Sequence, residues 1–81
     1  MPKPRRIVVV KWRDACLCGP EYTLKDCLEL NMPIYETYGI ILGKDKTTLR
    51  LACEERIDIE RFRQVNLIPI ESIISIRTLK R

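Results

Sequence analysis

Tyr38-Gly39-Ile40-Ile41-Leu42-Gly43-Lys44-Asp45-Lys46-Thr47-Thr48-Leu49-Arg50-Leu51 decides the fold. Two apolar runs flank a cluster of turn formers, Gly43 to Lys46, which reads as a hairpin turn. Beyond it the pattern alternates. Leu49, Leu51 and Cys53 fall on one face, and Thr48, Arg50 and Glu54 on the other. A period of two is the mark of a strand with one buried face. Before the turn, Ile34, Tyr38, Ile40 and Leu42 share a face, with Glu36 between them. Gly39 lies mid-strand, where a glycine marks a bend, a bulge or the close approach of another backbone.

Upstream, Arg6 to Arg13 is β-branched and aromatic, as strands are. Val8, Val10 and Trp12 alternate with Ile7, Val9, Lys11 and Arg13. Cys18-Gly19-Pro20 breaks this strand. A short helix is expected from Thr23, whose hydroxyl can cap it, with Asp26 placed to answer the cap. Leu24, Cys27, Leu28 and Asn31 would lie on one face, packed on the sheet, and Asn31 and Pro33 would stop the helix.

Downstream, the charged stretch Glu54 to Arg63 reads equally as a hairpin tip or a helical turn. Gln64 to Ile70 is expected as a strand ended by Pro69. Ile70-Glu71-Ser72 reads as a tight connection, and Ser72 to Leu79 as the last strand. Ile74 and Ile76 would then face one way, and Ile73, Ser75 and Arg77 the other.

Five short strands in 81 residues cannot form a flat sheet covered on both faces. The expected fold is mostly β: a small, five-stranded, partly open barrel with one short helix. Residues 1–5 are expected as a flexible basic arm and 6–81 as one domain. Core candidates are Trp12, Leu42, Leu49, Leu51, Ile68 and Ile74.

Composition narrows the function classes. The longest unbroken apolar stretch, Ile7 to Val10, is too short for a membrane span or the apolar core of a signal peptide. A cytoplasmic protein with no membrane partner is therefore expected. The chain has no histidine, its three glycines are isolated, and its acids are scattered. No catalytic constellation, phosphate loop or cofactor site is expected. Cys16, Cys18, Cys27 and Cys53 could supply four thiolates to zinc, or pair as disulfides. The simplest reading makes Cys27 and Cys53 small core residues.

The net charge is +4, and its placement is uneven. Residues 1–13 and 77–81 hold eight of the fifteen cations and no acid. The other seven cations face all eleven acids, so the middle of the chain carries −4. Basic ends attract phosphates without sequence preference. Lys3, Arg5, Arg6, Arg77, Lys80 and Arg81 are the candidate nucleic-acid contacts. Trp12, Tyr22, Tyr35, Tyr38 and Phe62 could stack on bases. Tyr35 and Tyr38 should point to opposite faces.

Over residues 34–79 the chain resembles the Sm-like small barrels, ring-forming RNA-binding proteins. Tyr38 to Leu51 is similar to their first motif, in which a strand glycine is followed by an aspartate in the turn and then by alternating apolar residues. Asn66 to Ile76 resembles their paired last strands. Across about residues 8–79, Trp12-x-Asp14-Ala15, Thr37-Tyr38-Gly39, Asp45, Leu51-Ala52, Ile68-Pro69 and Ile73 look like a group of short uncharacterised phage proteins. The first resemblance implies a homo-oligomer that binds RNA. The second implies a phage or prophage origin and brings no activity. The expected function is thus a non-catalytic Sm-like small-barrel module of phage or prophage origin that binds nucleic acid, RNA in preference to DNA, as a homo-oligomer. The alternative is a viral accessory module that binds a host or virion protein and no nucleic acid.

Overall fold

The computed structural model describes residues 5–79. Five strands form one antiparallel sheet: β1 (Ile7–Arg13), β2 (Ile34–Lys44), β3 (Thr48–Arg56), β4 (Arg61–Pro69) and β5 (Ile73–Thr78). A single short α-helix, α1 (Leu24–Glu29), follows β1, and one 3-10 turn, Ile70–Ser72, joins β4 to β5. The strand order is β4-β3-β2-β1-β5, so β4 and β5 are the edges of a sheet that curls without closing.

The curl originates in β2. Its first part, Ile34 to Ile40, pairs with β1, and its last part, Ile40 to Lys44, pairs with β3. The change of partner falls beside Gly39, where a Cβ would stand 2.9 Å from the Ala52 carbonyl oxygen and 3.1 Å from Leu51 Cβ. The glycine is there because another backbone needs the space. Asp45 closes the following turn. Its Oδ1 accepts the Thr47 and Thr48 backbone N–H groups, each at 2.9 Å.

Val8, Val10, Leu49, Leu51 and Ile68 form the core, with Trp12, Ile41, Ile70 and Ile73 packed against it. Trp12 is half-buried and donates its indole N–H to Thr37 Oγ1 at 2.9 Å. Three of the expected core residues, Leu49, Leu51 and Ile68, are fully interior. Leu42 and Ile74 are not in the core, for different reasons. Leu42 continues the alternation of Tyr38 and Ile40, which pair with Val9 and Ile7 and face outward, so the neighbouring Ile41, paired with Leu51, is the residue that reaches the core. At Ile74 the β1–β5 register shifts between Lys11 and Trp12, and the bulge turns Ile73 onto the core instead.

Thr23 caps α1 as expected, accepting the Asp26 backbone N–H at 3.1 Å. The helix does not pack on the sheet, however. It buries no residue, and Leu24 and Leu28 remain 75% and 79% exposed. Cys27 and Cys53 are also exposed, so neither serves as a core residue. Glu54 to Arg63 resolves as a hairpin tip, with β4 beginning at Arg61, three residues before the expected Gln64. Among the described residues no helix is long and apolar enough to cross a membrane.

Candidate nucleic-acid interface

Directly paired residues of an antiparallel sheet point to the same side, so register alone assembles the outer face. Val9 pairs with Tyr38 of β2 and with Arg77 of β5, giving one row across three strands. The next row is Glu36, Lys11 and Ser75, and Arg13 and Ile34 follow. On the other side of the Val9 row, Ile40 pairs with Ile7, whose carbonyl accepts the Leu79 N–H at 2.9 Å.

Val9 faces outward yet is only 3% exposed, whereas Tyr38 is 55% exposed. A β-branched floor is therefore covered by its flanking neighbours, and the tyrosine ring stands beside it in solvent. Lys11, Arg13 and Arg77 are all exposed on this side. None of the ion pairs among the described residues uses them. Glu36, opposite Lys11, is the acid nearest in register.

Arg77 sits on the edge strand of this face, beside Val9. Arg6 is exposed just before β1, and its carbonyl accepts the Ile41 N–H at 2.9 Å. Arg5 lies elsewhere, against the β3–β4 hairpin. It approaches Glu55 at 3.7 Å and Glu60 at 3.9 Å, and its guanidinium stands 5.1 Å from the Phe62 ring centroid. The structure thus does not bring Arg5 and Arg77 together. Lys3, Lys80 and Arg81 lie outside the described residues.

Lys11, Arg13 and Tyr38 complete the basic face and were not singled out together by sequence. Their alternation with Val9 placed Lys11 and Arg13 outward, but the pairing with Tyr38 and Arg77 is long-range. Of the other aromatic candidates, Trp12 and Tyr35 pack against each other at the rim of the core, 5.7 Å between centroids with the rings tilted by 39°. Tyr35 and Tyr38 do face opposite ways.

On β3 and the β3–β4 hairpin several charges are paired with one another. Arg50 binds Asp45 at 2.9 Å, Arg56 binds Asp58 at 2.9 Å, and Arg63 binds Glu54. A hollow lined by Glu54, Glu55, Arg56, Ile59, Arg61 and Arg63 lies on the β3–β4 hairpin, but its charges are largely compensated by these pairs. Among the described residues no three potential metal ligands gather. Cys16 and Cys18 alone approach one another, with sulfurs 3.4 Å apart.

Fold and surface together define a class: a small, open, curled antiparallel sheet with an aromatic-basic outer face. Comparison of the chain with protein-family models, curated proteins and solved structures finds no match.

Proposed function

We propose that the protein is a non-catalytic binding module that holds single-stranded nucleic acid on the outer face of β2, β1 and β5. The observation that carries this reading is the row Tyr38, Val9 and Arg77, with Lys11 and Arg13 beside it. An exposed aromatic ring gives a base a stacking surface, and cations at strand spacing follow the phosphates. The similarity of Tyr38 to Leu51 to the first Sm motif favours RNA over DNA, and the Trp12-x-Asp14-Ala15 pattern favours a phage or prophage source. Assembly into a homo-oligomer would use the edges, β4 and β5. Within β5 no proline blunts the ladder, and unpaired edges recruit further strands.

The test is fluorescence anisotropy of a labelled single-stranded oligonucleotide, RNA and DNA in parallel, over a range of salt, with mass measured by light scattering. Affinity should fall steeply with salt. Tyr38→Ala should lose about 1–3 kcal/mol of binding and Tyr38→Phe little, because stacking needs the ring and not the hydroxyl. Lys11→Glu and Arg77→Glu should weaken all sequences by similar factors. No salt-dependent binding at low ionic strength would reject the reading.

A protein-binding role is the second reading, and one feature favours it. Residues 14–33 present Leu17, Leu24, Leu28 and Met32 largely to solvent. An apolar segment this exposed is suited to covering by another protein, of host or virion. Nucleic-acid binding would then be absent, and the same anisotropy titration separates the two.

A further inference from the structure

Between β1 and α1 the chain runs through residues 14–22 without regular structure. The loop carries Cys16 and Cys18, both exposed and unbridged. Their sulfurs stand 3.4 Å apart, within range of an S–H···S hydrogen bond. A disulfide needs about 2.05 Å between sulfurs, so only a small adjustment separates this pair from a bond. No buried side chain anchors the loop against that adjustment, since every residue from 15 to 22 is exposed. Cys27 and Cys53, by contrast, have no other thiol within hydrogen-bonding distance among the described residues.

We propose that Cys16 and Cys18 form a two-electron dithiol site that undergoes exchange with small-molecule disulfides. The Cys18 thiolate attacks one sulfur of the incoming disulfide. A mixed disulfide forms at Cys18 and one small thiolate leaves, taking a proton from solvent. Cys16 then loses its proton and attacks Cys18 Sγ, which closes the Cys16–Cys18 bond and expels the second small thiol. Two protein S–H bonds and one external S–S bond become one protein S–S bond and two external S–H bonds. The protein is oxidised and the small disulfide reduced. The assignment of roles follows the local charges. The hydrogen bond with Cys18 raises the Cys16 pKa above the ordinary thiol value, with slight desolvation and the charges of Cys18 and Asp14 acting the same way. Cys16 is therefore the thiol that holds its proton until the second step.

The site is separate from the outer face of the sheet and does not depend on what that face binds. Its test uses the reduced full chain, glutathione disulfide as the probe, timed acid quenching, and mass spectrometry of tryptic peptides. Cleavage after Arg13 and Lys25 isolates a peptide that contains Cys16 and Cys18 but neither Cys27 nor Cys53. That peptide should become lighter by two hydrogens and keep no glutathione adduct, whereas Cys27 and Cys53, with no second thiol beside them, should gain stable glutathione. In Cys16→Ser the mixed disulfide at Cys18 should accumulate, because nothing resolves it. In Cys18→Ser a stable adduct should likewise remain on Cys16, with no loss of two hydrogens. Equal reaction at all four cysteines, with stable glutathione adducts on Cys16 and Cys18, would overturn the proposal. So would a bridge from either of them to Cys27, to Cys53 or to a second chain.

Discussion

At Asp45 one carboxylate holds the β2–β3 turn. Oδ1 accepts two backbone N–H groups and the Thr47 hydroxyl, and Oδ2 accepts from Arg50. The Thr47 backbone bond, the Arg50 hydrogen bond and the Thr48 backbone bond all favour the ionised form, so the pKa lies well below the usual aspartate value. A depressed folded-state pKa contributes stability that is present above the unfolded value, about pH 4, and is lost as pH falls through the folded one. Asp45→Ala should therefore lower the melting temperature at neutral pH, with the gap to the parent narrowing in acid. A gap of constant size across that range would show that the carboxylate charge is not what holds the turn. Gly39 makes a second claim at this scale. Gly39→Ala places a methyl group against the Ala52 carbonyl and Leu51, and the overpacking should cost about 1–3 kcal/mol in a urea melt. An unchanged midpoint would mean that β2 and β3 can separate there without penalty. Both positions were legible in the sequence, because a turn aspartate and a mid-strand glycine stand out locally, although the Ala52 backbone that requires Gly39 lies on another strand.

Among the elements, β4 is the least regular. Gln64 lies opposite Cys53 with φ at 53°, between the regular pairs Ala52–Val65 and Glu54–Arg63. A left-handed backbone within a strand strains any residue with a Cβ, and a β-branched one most. Gln64→Val should therefore destabilise by about 1–3 kcal/mol, whereas Gln64→Gly should be neutral or stabilising. Equal midpoints for the two variants would contradict the strained conformation. This feature was not legible, because the Arg61 to Pro69 segment reads as continuous strand or charged tip until its partner is known. The same limit explains Ile74, whereas Leu42 shares the face of Tyr38 and Ile40, and only the pairing with β1 shows that this face points outward. Alternation places residues on faces correctly only while the register runs unbroken, and a bulge is fixed by the partner strand. The α1 cap was legible because Thr23 and Asp26 are neighbours in sequence. Its lack of packing was not, because apolar spacing gives a helix a face without giving it a surface to cover.

On the scale of the whole molecule, strand order converts scattered charges into a surface. Lys11 and Arg13 come from β1, Tyr38 from β2 and Arg77 from β5, and only the register places them on one side. Sequence located the basic ends and the number of strands, but not the row that joins Arg77 to Tyr38 through Val9. It also grouped Arg5 with Arg77, although Arg5 folds onto Glu55, Glu60 and Phe62 of the hairpin. The central claim is that this outer face is where nucleic acid binds. Amide chemical-shift mapping during titration of the isotope-labelled protein with single-stranded oligouridine tests it most directly. The account predicts salt-sensitive shifts concentrated on Val9, Lys11, Tyr38, Ser75 and Arg77, with residues 14–33 and the hairpin tip 57–60 unmoved. Shifts confined to residues 14–33 or to the hairpin, or none at low ionic strength, would contradict it.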